Sequence, residues 1–200
     1  MIVKTIPAGM LSANCYLIYN EVTKEALVLD PGGDEDIIID NIEKLKLNIK
    51  AILLTHGHMD HVGALKAIAD KYTVMTYINK QDIELMKKGS SVFGKFPDIE
   101  VTFIEDKEII NIADFQVQCI WTPGHTPGGM CFLIEDCLFS GDTLFQGSIG
   151  RTDFVGGDYD TIISSIVEGL MVLENNVIVY PGHGEATTIL RERNYNPFIN

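Results

Sequence analysis

Residues 55–61 read Thr55, His56, Gly57, His58, Met59, Asp60, His61, so three of the chain's five histidines fall in six consecutive positions together with an acid. Imidazole is the commonest protein ligand for metal ions, and nitrogen donors mixed with carboxylate suit zinc, iron or manganese. An H-x-H pair in an extended loop can direct both imidazoles at one ion. Asp60 and His61 then point toward a neighbouring position. The stretch directly follows the apolar run Ala51–Leu54, which reads as a strand. Loops held at rigid strand ends are where a fold can fix several ligands in space.

The two remaining histidines repeat this placement. His125 lies in TPGHTPGG after Phe115–Trp121, and His183 lies in YPGHGE after Val177–Tyr180. A fourth loop brings Asp142, directly after the apolar Cys137–Ser140. Alone, His183 reads as a turn residue and Gly141–Thr143 as a turn followed by a helix cap. Together, four loops give seven candidate donors: His56, His58, Asp60, His61, His125, Asp142 and His183. Two ions sharing one carboxylate would use them all.

Elsewhere, short runs rich in Val, Ile and Tyr predict strands over Ile2–Ile6, Cys15–Tyr19, Ala26–Leu29, Val74–Ile78, Val101–Ile104 and Met130–Ile134. Ile162, Ile163, Ile166, Leu170 and Leu173 form a stripe that predicts a helix over Tyr159–Glu174. Further helices are predicted at Glu35–Leu47, after His61 as far as Lys71, at Lys80–Lys88 and over Ala186–Arg193. The segment Gly89–Asp98, GSSVFGKFPD, reads as a mobile surface loop. The expected class is α+β, one domain over residues 1–200, with two packed sheets and helices on the outer faces.

Composition narrows the function. Of 200 residues, 28 are acidic and 15 basic, and the net charge of -13 argues against nucleic-acid and anionic-membrane partners. The longest apolar runs, Cys15–Tyr19 and Met130–Ile134, are far short of the roughly 18 residues of a membrane-spanning helix. No export signal is read at the start, so a cytoplasmic location is expected. Cys15, Cys119, Cys131 and Cys137 lack any C-x-x-C pairing and read as buried, inert thiols.

Five motifs resemble one family: Thr55–His61, G-H-T-P-G at Gly124–Gly128, G-D-T-L-F at Gly141–Phe145, G-R-T-D at Gly150–Asp153 and P-G-H-G at Pro181–Gly184. They are similar to those of the metallo-β-lactamase-fold hydrolases. Within these, the chain resembles the short, single-domain glyoxalase II-like proteins, which often share the closing ERNYNPFI. The resemblance implies an αβ/βα four-layer sandwich with two divalent ions, zinc foremost, then iron or manganese. It assigns His56, His58 and His125 to one ion and Asp60, His61 and His183 to the other, with Asp142 bridging. It implies hydrolysis of a small-molecule thioester such as an S-acylglutathione by a metal-bridging hydroxide, with Asp60 also orienting the nucleophile.

Two residues keep alternative readings. Arg151 stands where the family places a basic substrate contact, so it is either an anion clamp or the partner of Asp153. Asp30 is either a plain turn residue or a carboxylate orienting a ligand imidazole. Full-length glyoxalase II enzymes take glutathione contacts from a C-terminal helical domain, which is not expected here. Rivals on the same scaffold are lactonases and the persulfide dioxygenases, which use one iron and usually show P-A-H-D where this chain has P-G-H-G.

Overall fold

The computed structural model describes residues 1–199. A first sheet contains β1 (Ile2–Ala8), β2 (Ala13–Tyr19), β3 (Glu25–Leu29), β4 (Asn48–Leu53), β5 (Met75–Ile78) and β6 (Val101–Phe103), hydrogen-bonded in chain order. β1 to β3 are antiparallel, and β3 to β6 are parallel. Parallel neighbours need crossovers. These are α1 (Glu35–Leu45), then α2 (Met59–Val62) with α3 (Leu65–Tyr72), then α4 (Lys80–Lys88).

The second half builds β7 (Ile109–Ile112), β8 (Phe115–Trp121), β9 (Met130–Ile134), β10 (Cys137–Gly141) and a small hairpin of β11 (Leu144–Phe145) with β12 (Ser148–Ile149). α5 (Tyr159–Ser164), β13 (Ile178–Pro181), β14 (Thr187–Thr188) and α6 (Ile189–Tyr195) complete it. In space the second sheet runs β14, β13, β10, β9, β8, β7. β13 lies parallel to β10, and the other pairs are antiparallel.

Strand alternation explains the layering. On β2, Cys15 and Leu17 pack with Ile38 and Ile42 of α1, Ile68 of α3 and Ile83 of α4. Tyr16 and Ile18 point the other way, into a core shared with Phe132 and Phe139 of the second sheet. Such two-faced burial follows from the period of 2 along a strand and accounts for the unbroken apolar run. Ile162, Ile166 and Leu170 join Leu138, Val179 and Ile189 in a third core outside the second sheet. Helix, sheet, sheet and helix make the expected αβ/βα sandwich. Among the described residues no helix is long and apolar enough to cross a membrane, and the four thiols are buried and free.

Local readings change in several places. The helix predicted over Tyr159–Glu174 is α-helical only to Ser164 and continues as a π-helical turn, Ser165–Leu170. Ile162, Ile166 and Leu170 recur every fourth residue, a spacing that tolerates the wider turn. Ala186–Thr188 is not helical: Thr187 and Thr188 pair with β13, and the Thr188 hydroxyl caps α6 from outside. β7, β11 and β12 were not among the strands read from the pattern. Finally, Gly89–Asp98 is no free surface loop. Phe93 is buried and bridges to His58, and Gly94 N donates to Gly57 O.

Candidate metal centre

Strand direction gathers the site. β8, β10 and β13 run the same way, so their carboxyl ends share one edge of the sandwich. His125 follows β8, Asp142 follows β10, His183 follows β13, and His56–His61 follow β4. Close approach of these loops requires glycine. A Cβ on Gly182 would collide with Asp142 Oδ1 and His61, and one on Gly141, whose φ is +49°, would collide with Thr55.

All seven expected donors converge. His56, His58 and His125 have ring nitrogens within 4.8 Å of one another, and Asp60, His61 and His183 form a second such group. Asp142 stands between them, its Oδ1 3.4 Å from His61 Nε2 and its Oδ2 3.5 Å from His125 Nε2 and 3.7 Å from His183 Nε2. Asp60 Oδ2 is 3.2 Å from His183 Nε2.

The far side of three rings is anchored. His56 Nδ1 is 3.0 Å from Thr55 Oγ1, His61 Nδ1 is 3.0 Å from Asp30 Oδ2, and His125 Nδ1 is 2.7 Å from Arg151 O. This leaves Nε2 of His56 and of His61 facing inward, buried and without a hydrogen-bond partner, as is Asp142 Oδ1. Asp30 is therefore the orienting carboxylate of the two readings given above.

Protonation follows burial and charge. Burial drives the His56 imidazole well below its ordinary value and takes His58 down to about 3. His125 is lowered by burial too. Burial also opposes charge on His61, yet the Asp142 and Asp30 carboxylates outweigh it and raise this ring well above its usual range. His183 is raised by its hydrogen bond with Asp60. For Asp142, burial is overcome by His61 and the neighbouring imidazoles, so its carboxyl lies far below the normal range.

Beyond the donors, Asp82 of α4 is fully buried and braces two loops. It accepts from Gly57 N at 2.9 Å, Thr126 Oγ1 at 2.8 Å and Gly128 N at 2.7 Å. Burial nonetheless pushes its carboxyl up to about 6, the three donors pulling the other way. In the sequence Asp82 reads only as an acid in a helix's first turn. Asn14 lay just before the strand read as Cys15–Tyr19 and falls within β2 in the structure: its Nδ2 donates to Pro181 O and Gly184 O, pinning the His183 loop.

The donors open into a cleft of about 560 Å³. Arg151 lines it, but Nε and Nη2 each donate to the Asp153 carboxylate at 2.7 Å, and the guanidinium lies 3.8 Å over the Phe154 ring. The ion pair with Asp153 is thus present in the structure.

Comparison with known proteins gives the family. Residues 8–183 match the model of the Metallo-beta-lactamase superfamily. The chain is 40% identical to the hydroxyacylglutathione hydrolase GloC of Haemophilus influenzae, over 100% of this chain and 99% of that protein. The crystal structure of BLEG-1 B3 metallo-beta-lactamase superposes with a TM-score of 0.90 at 36% identity, covering 99% of each chain. That of TTHA1623, in a di-iron-bound form, gives 0.86 at 31% identity, covering 98% of this chain and 99% of that one. A match running from β1 to His183, with full-length relatives above 30% identity, makes this chain a member of the metallo-beta-lactamase superfamily.

Proposed function

We propose that the chain is a dinuclear metal-dependent hydrolase of small-molecule thioesters. One observation carries this reading: Asp142 sits between two donor triads whose inward atoms, His56 Nε2, His61 Nε2 and Asp142 Oδ1, are buried without hydrogen-bond partners. A buried polar atom left unpaired costs about 1–3 kcal/mol. Divalent cations would satisfy these atoms together, and the mixed nitrogen and carboxylate set fits zinc, iron or manganese. His56, His58 and His125 would hold one ion and Asp60, His61 and His183 the other, with Asp142 shared.

When bound, such ions supply Lewis acidity and bring the pKa of a coordinated water toward neutrality. The protein's own groups then set the geometry. Asp60 faces the cleft with a carboxylate that can hold a water proton and orient the oxygen toward an acyl carbon. Asp30, Thr55 and the Arg151 carbonyl keep the imidazoles from rotating. In the reaction, water adds to the acyl carbon, the C–S bond breaks, and a carboxylate and a thiol leave. Full-length likeness to a hydroxyacylglutathione hydrolase supports the thioester reading. The net charge of -13 favours a small substrate over a polyanion.

The test uses protein reconstituted separately with zinc, iron and manganese, assayed on S-D-lactoylglutathione and a panel of other acyl thioesters. Oxygen uptake on glutathione persulfide is followed in parallel. Thioester cleavage without oxygen uptake is expected. Oxygen consumption by the iron form with no thioester cleavage would overturn the reading.

A further inference from the structure

The cleft carries information about the substrate that the donor cluster does not. Its walls are Leu11, Met59, Val92, Phe145, Ile149 and Phe154. Leu11 is 63% and Met59 49% exposed, although both are large apolar side chains standing at the mouth of the site. Apolar rings flank both donor triads: Phe154 meets His58 edge-on at 5.8 Å, and Phe145 lies 6.4 Å from His183. Exposed apolar surface continuous with a reactive centre marks the place where a ligand buries its own apolar part.

Charge points the same way. Among the described residues lining the cleft, Arg151 is the sole lysine or arginine. Its Nε and Nη2 are both committed to Asp153, and its face is covered by the Phe154 ring. The pair is close to neutral as a unit, so an anionic substrate group gains little from it unless it displaces Asp153.

Building on the thioester reading, we infer that the cleft selects an uncharged aliphatic acyl chain, and that Arg151, Asp153 and Phe154 act together as a wall and not as an anion clamp. Recognition then lies on the acyl side of the scissile bond. The anionic carrier thiol contributes little.

The experiment measures kcat/KM for acetyl, butanoyl and hexanoyl thioesters on two carriers, uncharged N-acetylcysteamine and anionic glutathione. We expect a rise of roughly fourfold per buried methylene while the chain fits the cleft, on either carrier. The uncharged carrier should serve at least as well as glutathione. Asp153→Asn frees the guanidinium and should shift the ratio of glutathione to N-acetylcysteamine substrates upward by up to about fivefold, the upper end for one exposed ion pair. Phe154→Ala should flatten the chain-length series. A flat series in the wild-type protein, or a preference of about tenfold or more for the glutathione carrier, would overturn the inference and leave thioester hydrolysis standing. Failure to cleave any thioester would instead remove the proposed function.

Discussion

Asp30 Oδ2 lies 3.0 Å from His61 Nδ1, and the same carboxylate accepts from Thr55 N at 2.8 Å and Thr55 Oγ1 at 2.6 Å. Because the Thr55 hydroxyl donates to Asp30, it can only accept from His56 Nδ1, 3.0 Å away. One acid thereby fixes the tautomer of two imidazoles and leaves both Nε2 lone pairs facing the cluster.

Asp30→Asn should therefore weaken metal binding by about 10- to 100-fold, the usual effect of losing an orienting carboxylate. Titration against a competing chelator reads this directly. An affinity equal to that of the unaltered protein would sink the orienting role.

Asp142→Ala removes the carboxylate that stands between the triads. Bound metal should fall below two ions per chain and hydrolysis should be lost, because among the described residues Asp142 is the carboxylate that lies against both His61 and His125. Elemental analysis after dialysis checks the first claim and thioester turnover the second. Two retained ions with activity intact would contradict a shared ligand.

Asp82→Asn keeps the shape of the side chain but replaces an acceptor oxygen with an NH2 group. Gly57 N, Thr126 Oγ1 and Gly128 N all donate to the carboxylate, so the amide leaves a buried donor unpaired. A loss of roughly 1–3 kcal/mol in urea unfolding follows. Weaker metal retention should accompany it, since the His56–His58 turn and the His125 loop lose their common brace. Unchanged unfolding together with unchanged metal retention would show that the loops do not depend on this acid.

How much of this was legible in the sequence depended on whether the signal was local. The seven donors could be read because each sits in a short, glycine-flanked motif directly after an apolar run, and strand ends are recognisable from composition. β8, β9 and α4 appear with the bounds read from the pattern. Asp82 could not be read, since its partners are 25 and more residues away and a first-turn acid looks the same whether solvated or buried. The docking of Gly89–Asp98 was hidden for a similar reason: a segment rich in Gly and Ser looks loose, while Phe93 anchors it through a contact with His58 that spacing does not encode. Arg151 shows the limit for substrate. Its motif gave its position and left an anion clamp and a pair with Asp153 both open; the structure shows the Asp153 pair and adds the Phe154 ring over the guanidinium, a contact that spacing does not encode.

The buried thiols give the last prediction, a dependence of stability on alkaline pH. Burial pushes Cys131 up to about 11 and Cys119 to about 12, from an ordinary value of 9.0, and holds Cys15 higher still. A raised thiol pKa means that the folded chain keeps a proton which the unfolded chain releases. Its stabilising contribution is complete below about pH 9 and is lost as pH climbs toward the folded value, at about 1.4 kcal/mol per pH unit for each such thiol. Cys131 is fully buried against Thr122 Oγ1 and Ser140 O, which makes it the cleanest site to remove. In urea unfolding between about pH 9 and 11, Cys131→Ala should fall less steeply with pH than the wild type by about 1.4 kcal/mol per unit. Lysines and tyrosines titrate in the same window but are common to both proteins and cancel in the comparison. Parallel curves would mean that the Cys131 thiol ionises as readily folded as unfolded, against its burial.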